Sequence, residues 1–185
     1  MKLLKLTATN FMPYKGTLSL TFPTRPDQNV MLVYGDNMRG KTSLLNALRW
    51  AFYGTALGRH SRELPLQDLI NKEATLEGDW NMETCITFEE GGHTYEYRRR
   101  ASKHPLVSKP SRPEDFEVSR GLLRDGIAIN GYMIDSEISR FAPEQTSRFF
   151  LFDGELLQEY ESLLIDWNEQ GRKIKEAIEQ ALGVP

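Results

Sequence analysis

Several features that mark other classes of protein are scarce in this 185-residue sequence. Its single cysteine, Cys85, allows no internal disulfide, fits a reducing compartment and is expected to be a small core residue on a strand. The apolar runs are far shorter than a membrane span and no charged-then-apolar leader opens the chain, so we expect a cytoplasmic protein with no membrane partner. The net charge of −3 excludes an overall basic protein, so any contact with DNA requires a local patch.

The composition that remains is that of a globular protein. Hydrophobic residues make up 39% and charged residues 26% of the chain, with no internal repeat or low-complexity segment. We therefore expect residues 1–185 to form one domain with its own core.

The most informative stretch fits the phosphate-loop pattern of Gly, four residues and Gly-Lys-Thr. Its residues are Gly35, Asp36, Asn37, Met38, Arg39, Gly40, Lys41 and Thr42. The apolar run Val30–Tyr34 before it predicts a buried strand, and apolar residues at helical spacing over 43–53 predict a helix after it. A chance match in an ordinary turn is the alternative, and this strand–loop–helix context argues against it.

Each residue type in this loop has a chemical reason. Gly35 and Gly40 allow backbone torsions and a close approach to a ligand that a side chain would block. The amides and the positive end of the following helix then face a phosphate. Lys41 supplies charge to the β- and γ-phosphates, and the hydroxyl of Thr42 is a ligand for Mg²⁺. The sequence therefore predicts ATP and Mg²⁺ as cofactors.

Alternating apolar and polar residues predict several antiparallel pairs around this loop. Strands are expected over 1–8 and 17–22, joined by a turn at 10–16. The clearest hairpin joins 82–90 to 93–100 through two glycines, and a smaller one joins 116–118 to 127–129. A loop and a short helix are expected over 132–141. His93 lies beside the hairpin turn without a Cys or second His at ligand spacing, so we expect a solvated residue and not a metal ligand.

The stretch Arg98–Arg112 carries six Lys or Arg residues and no acidic residue. One interpretation is a solvated, mobile loop. The other is a patch that binds the phosphate backbone of DNA.

The opening strand, the turn Thr9-Asn10-Phe11, the strand Leu18–Phe22 and the phosphate loop together resemble the N-terminal lobe of SMC/RecF/RecN-type ATPases. The resemblance implies an α/β fold: a P-loop NTPase with an ABC/SMC-type head lobe, a mixed sheet, antiparallel β hairpins and flanking helices. It also implies that Asn10 and Phe11 lie near the nucleotide base. The phosphates are then held by the loop residues given above and by Ser43.

A second marker is the run Phe149–Phe152 followed by Asp153-Gly154-Glu155. The run predicts a strand buried on both faces, and a carboxylate at the end of such a strand lies at the ligand edge of a parallel sheet. A plain Asp-Gly turn is the alternative. SMC-like ATPases have Gln-Gly here, and the Asp153-Gly154 form resembles instead the DndD ATPases of DNA phosphorothioation (sulfur-modification) systems. Because the resembled SMC-like ATPases sense Mg²⁺ and the γ-phosphate at this position, we expect Asp153 to join Thr42 at Mg²⁺, directly or through water, and to act with Lys41 in catalysis.

Two elements of such an ATPase are missing from the sequence. It contains neither a later run of four apolar residues ending in Asp-Glu nor a Leu-Ser-x-Gly signature loop. A helical pattern begins at Leu156, is interrupted at Gly171 and forms a second face over 174–182, and no heptad run follows it. The resemblance therefore implies that residues 1–185 are the N-terminal lobe of a split head, without its coiled coil and C-terminal lobe, either as a fragment or as one piece of a two-piece head. Its expected partners are its own C-terminal lobe, a second head in an ATP-dependent head-to-head homodimer, double-stranded DNA and other DNA sulfur-modification proteins.

Three alternatives remain at this point. The first is an SMC-like ATPase of DNA repair or anti-phage defence. The second is a small P-loop kinase with Arg98–Arg100 in its lid, against which the hairpin ahead of the phosphate loop argues. The third is a DNA-end or clamp module that does not turn ATP over.

Overall fold

The structure is a computed structural model that describes residues 1–36, 39–58, 62–144 and 150–151. Its strands in these ranges are β1 (Lys2–Phe11), β2 (Tyr14–Thr21), β3 (Met82–Glu90), β4 (His93–Lys103), β5 (Phe116–Arg124) and β6 (Ile127–Ala128). Its α-helices there are α1 (Lys41–Tyr53), α2 (Leu66–Leu69), α3 (Lys72–Leu76) and α4 (Ile134–Phe141). Short 3₁₀ turns cover Pro113–Asp115 and Gly131–Met133.

The described strands form one antiparallel sheet in the order β2-β1-β3-β4-β5-β6. Two of the three predicted strand pairs are confirmed. The third is wrong in its register, because Phe116–Val118 pair with β4 and β6 pairs with Leu123 and Arg124 at the far end of β5. In the main hairpin, Glu90 pairs with His93 across Gly91 and Gly92, whose φ angles are 58° and 78°. Positive φ at both positions matches a type I′ turn and the twist of the flanking strands. The predicted mixed sheet is not found among the described strands.

One face of this sheet carries α1, which packs against β1, β3 and β4. Aromatic residues fill the space between them, and Phe88 and Tyr95 stack with their ring centroids 5.1 Å apart. The buried aromatic residues of this core include Phe11, Trp50, Phe52, Phe88, Tyr95 and Tyr97. Burial of a side chain of this size contributes about 2 kcal/mol, so this layer is what fixes α1 on the sheet.

Glycines begin and end α1. Gly40 precedes the helix with φ 100°, and Gly54 follows it with φ 78° and donates its amide to the carbonyl of Trp50 at 2.8 Å. These conformations are open to glycine and strained for other residues. The helix begins two residues before the predicted start, and the predicted end is confirmed.

The prediction of a buried strand over Val30–Tyr34 is wrong for this structure. The segment forms no strand, and its side chains are largely exposed, with Val30 at 76% and Tyr34 at 85%. An apolar run is typical of a strand within a sheet that is covered on both faces, so its burial depends on strands and helices around it. None of the described strands pairs with this segment.

The prediction for Phe149–Phe152 is not supported where it can be compared. Phe150 is helical and 74% exposed, while Leu151 packs partly against the core. Phe149, Asp153-Gly154-Glu155 and the two helical stretches predicted after Leu156 lie outside the described residues.

The basic stretch Arg98–Arg112 is not a single loop, because its first six residues belong to β4. Arg99 lies on the core side, and Arg98 lies on the other side within ion-pair distance of Glu83 (3.7 Å) and Glu96 (2.9 Å). A loop follows only over 104–112. The stretch is therefore partly buried and partly neutralised by neighbouring carboxylates.

Two expected absences can be compared with the described ranges. No helix within them is long and apolar enough to cross a membrane. The same residues contain no group of three or more His, Cys, Asp or Glu side chains that could hold a metal ion.

The two residues singled out in the sequence lie in different surroundings. His93 is half exposed and its ring lies 2.6 Å from the carboxylate of Asp125. Cys85 is buried on β3, and burial raises the pKa of its thiol to about 11.

Candidate nucleotide-binding site

The start of α1 is an open helix end next to the phosphate loop. Leu44 donates the first bond of the helix, to the carbonyl of Gly40 at 3.0 Å, so the amides before Leu44 lie at the helix terminus. Gly40 brings no capping side chain, and the first turn contains no acidic residue. Amides and partial positive charge at such an end favour an anion.

Lys41 reaches across the loop from this helix end. Its ammonium donates to the carbonyl of Asp36 at 3.0 Å and also to the carbonyl of Gly35. Lys41 and Thr42 are exposed, whereas the side chain of Ser43 is buried. The ammonium and the hydroxyl predicted for phosphate and Mg²⁺ are therefore both accessible. Gly35, Asp36 and Arg39 are exposed beside them, and Asn37 and Met38 lie outside the described residues.

The turn between β1 and β2 lies directly against the loop. The hydroxyl of Tyr14 donates to the carbonyl of Gly40 at 2.9 Å. An added Cβ at Gly40 would lie 2.9 Å from that hydroxyl and 3.0 Å from Cγ of Pro13. Tyr14 and Pro13 were not predicted as site residues, because alternation within a strand carries no signal for a contact 26 residues along the chain.

Asn10 and Phe11, predicted beside the nucleotide base, lie in the interior. Phe11 has no exposed surface, and its ring lies 6.2 Å from that of Trp50. Asn10 has φ 48°, donates to Asp79 at 2.8 Å and accepts from the amide of Gly16 at 2.9 Å. In this structure both residues shape the turn, and their contact with a base stays a prediction.

A second segment, over 69–81, holds the same turn from outside. The amide of Met12 donates to the carbonyl of Leu69 at 2.7 Å, and Asn71 donates its side-chain amide to the carbonyl of Met12 at 2.8 Å. At Asp79, burial favours a higher pKa, but hydrogen bonds from Asn81 and Asn10 outweigh it and leave the pKa below its usual value. The turn is therefore fixed by an ionised acceptor and several backbone bonds.

Arg49, a buried residue of α1, contacts the chain just before the second marker of the sequence. Its guanidinium donates to the carbonyl of Leu151, two residues before Asp153. The helix that begins at the phosphate loop thus contacts the chain close to the predicted metal ligand. Asp153 itself lies outside the described residues, so its role at the metal stays a prediction.

Two known proteins are similar in sequence to parts of this chain. A stretch of 82 residues, 43% of this chain, is 35% identical to a DNA double-strand break repair Rad50 ATPase of Thermoplasma acidophilum, of which it covers 8%. A stretch of 101 residues, 54% of this chain, is 34% identical to a subunit of the nuclease SbcCD of Deinococcus radiodurans, of which it covers 10%. The matched region thus spans about a tenth of the length of these relatives.

These relatives support an SMC/Rad50-like ATPase region, and neither is named for DNA phosphorothioation. The narrower resemblance to DndD is therefore not supported. The family comparison covers nearly the whole chain, since residues 5–183 match the model of the AAA domain. The chain belongs to the AAA domain family.

Proposed function

We propose that this chain is the ATP-binding lobe of an SMC-like DNA-repair ATPase. The observation that carries the proposal is the phosphate loop, where Lys41 bridges the carbonyls of Gly35 and Asp36 at the open end of α1. The family match and the two repair and nuclease relatives support an ATPase and favour repair over sulfur modification.

The residues at the helix end fit a magnesium triphosphate. Lys41 can exchange its two carbonyl partners for β- and γ-phosphate oxygens, which are stronger acceptors for an ammonium. The exposed hydroxyl of Thr42 is an oxygen ligand of the kind that Mg²⁺ prefers, and Asp153 is proposed as the second protein oxygen. When bound, the metal neutralises charge that develops on the phosphates. Lys41 and the amides before Leu44 bind and orient them.

Hydrolysis is proposed to need a second lobe. The sequence holds neither an Asp-Glu pair after a later apolar run nor a signature loop, so we propose that a further carboxylate for hydrolysis comes from that lobe. The exposed segment Val30–Tyr34 supports this proposal, because its β-favouring residues are ready to pair with strands of another lobe. We propose that a C-terminal lobe and a second head, joined head to head on ATP, complete the site.

The small-kinase alternative loses its main support. A kinase of this kind needs Arg98–Arg100 as a lid over the acceptor, but these residues lie within β4 and Arg99 is buried in the core. A clamp module that binds DNA without turnover differs from our proposal only in its rate of hydrolysis.

The proposal is tested by isothermal titration of the whole chain with Mg·ATP. We expect Lys41→Ala to abolish detectable binding while its melting temperature without nucleotide stays that of the wild type, because Lys41 is exposed. Lys109→Ala, at another exposed lysine, is the matched control and should bind like the wild type. Unchanged ATP affinity in folded Lys41→Ala would exclude this loop as the phosphate site.

A further inference from the structure

We propose that Tyr14 is a positioning residue for the phosphate loop, acting through the carbonyl of Gly40. That carbonyl accepts two hydrogen bonds, one from the amide of Leu44 at 3.0 Å and one from the hydroxyl of Tyr14 at 2.9 Å. Gly40 is the residue at which the loop becomes a helix. Tyr14 therefore supports the peptide group that orients the first amides of α1.

The contact between the turn and the loop is also steric. A methyl group at Gly40 would lie 2.9 Å from the hydroxyl of Tyr14 and 3.0 Å from Cγ of Pro13, so one or both side chains would have to shift. The glycine is thus required twice, by its φ of 100° and by the turn that lies on it. The loop cannot shift toward the turn without moving Pro13 and Tyr14.

The turn is a suitable support because it is itself fixed. Its backbone is held at Met12 by Leu69 and Asn71, and Asn10 is held by Asp79. Burial raises the pKa of Tyr14 above its usual value, so its hydroxyl stays protonated and remains a donor over the whole physiological range. Through Tyr14 and the carbonyl of Gly40, the first amides of α1 are thereby connected to the turn between β1 and β2.

This inference rests on the proposed function and makes a narrower claim about it. A residue that orients the loop affects the binding of the phosphates, whatever is attached to them. A residue that touches the base or the ribose affects ATP alone. Inorganic tripolyphosphate with Mg²⁺ separates these cases, because it carries the phosphates without the nucleoside.

The experiment compares the whole wild-type chain with Tyr14→Phe, which keeps the ring and removes the hydroxyl. Tyr132→Phe removes the hydroxyl of a tyrosine that is 81% exposed and is the matched control. We expect Tyr14→Phe to weaken Mg·ATP and Mg·tripolyphosphate by the same factor, about fivefold for one net hydrogen bond. The control should leave both affinities unchanged.

A second variant covers the case in which Tyr14→Phe does not fold. Pro13→Ala removes the ring whose Cγ lies 3.0 Å from the place of a Cβ at Gly40 and keeps the hydroxyl of Tyr14, and it should weaken both ligands equally by a smaller factor. A loss confined to ATP would assign Tyr14 to the nucleoside and overturn the proposal. Unchanged affinities for both ligands in folded Tyr14→Phe would overturn it by making the bond purely structural. If the wild type binds neither ligand, the proposed function fails, and this inference fails with it.

Discussion

The guanidinium of Arg99 lies against Gly54, the residue that ends α1, and an added Cβ at Gly54 would come within 2.8 Å of its Nη1. From this position Arg99 donates to the carbonyl of Ala51 at 3.1 Å and to that of Phe52 at 3.2 Å. Burial lowers the pKa of Arg99, but an arginine remains charged. A cation of β4 thus stabilises the negative end of the phosphate-loop helix.

The first prediction follows from this contact. Arg99→Ala leaves two helix-end carbonyls and the hydroxyl of Tyr97 without their buried donor. We expect it to lower the free energy of unfolding by roughly 3 kcal/mol, measured by urea denaturation. Arg100→Ala, next to it on the exposed face, should change stability by about 0.5 kcal/mol or less. Equal losses in the two variants would contradict a special role for Arg99.

The second prediction separates torsional strain from contact at Gly40. In Gly40→Ala, the new side chain is strained by a φ of 100° and also lies against Pro13 and Tyr14. In Gly16→Ala, the only cost is the strain of a φ of 68°, because no atom lies within 4 Å of the added Cβ. We expect Gly16→Ala to cost about 1 kcal/mol of stability and to retain ATP affinity. Gly40→Ala should lose more stability and nearly all affinity. Thermal melting and titration calorimetry measure the two effects, and similar results for both alanines would rule out the contact as a cause.

The third prediction concerns pH. Hydrogen bonds from the amide of Thr94 and then from His93 lower the pKa of Asp125. A carboxyl group with a depressed folded pKa stabilises the protein above its unfolded value of about 4, and the benefit disappears as pH falls through the folded value. Asp125→Asn, which tolerates the φ of 52°, should therefore melt below the wild type at pH 7 and approach it in acid.

The control for this measurement is Asp68→Asn, an exposed carboxylate on α2. The difference in melting temperature between Asp68→Asn and the wild type should not shrink in acid in the way expected for Asp125→Asn. A difference between Asp125→Asn and the wild type that is constant from neutral pH to acid would show that the charge of Asp125 contributes nothing.

The fourth prediction tests DNA binding by the basic stretch. Of its six cationic residues, Lys109 and Arg112 are exposed in the loop that follows β4. If the loop binds the DNA backbone, reversing both charges to glutamate should weaken binding for all sequences alike. The salt slope of log affinity should fall by about 2. Arg25→Glu is the control, and an unchanged slope in the Lys109/Arg112 variant favours the solvated-loop interpretation.

The fifth prediction concerns Asp153. If its carboxylate lies at Mg²⁺, directly or through water, Asp153→Asn removes the charge and keeps most of the shape. It should weaken Mg²⁺-dependent ATP binding and leave the melting temperature without nucleotide nearly unchanged. The rival is a plain turn or helix cap, which asparagine also supports. Identical Mg²⁺ dependence in the variant and the wild type would favour that rival.

Local signals in the sequence predicted local structure well. Helical spacing followed by Gly54 predicted α1, and alternation around two glycines predicted the main hairpin, because both depend on residues close in sequence. The burial of Val30–Tyr34 could not be judged this way, since it depends on whether other strands pair with the segment, and none of the described strands does. Arg99 was missed for another reason. Its charge suggested solvent, although the alternation of Tyr95, Tyr97 and Arg99 along β4 already placed it on the core face.

At the candidate site, the phosphate-loop pattern predicted which residue types are present, but not which other residues hold them in place. Lys41 and Thr42 are accessible, as the chemistry requires. Their support by Tyr14 joins two segments that no motif links, and the bond from Arg49 to Leu151 spans 102 residues. Contacts of this kind follow from the packing of the whole sheet and helix.

The exposed segment Val30–Tyr34 also bears on how the chain behaves in solution. Its five residues carry no charge and no proline, the two features that usually keep an open strand from pairing with another molecule. We expect the exposed segment to promote association between copies of the chain. If a second lobe covers this segment, as proposed, the same contact also protects the chain from pairing with its own copies, so colloidal stability would depend on assembly.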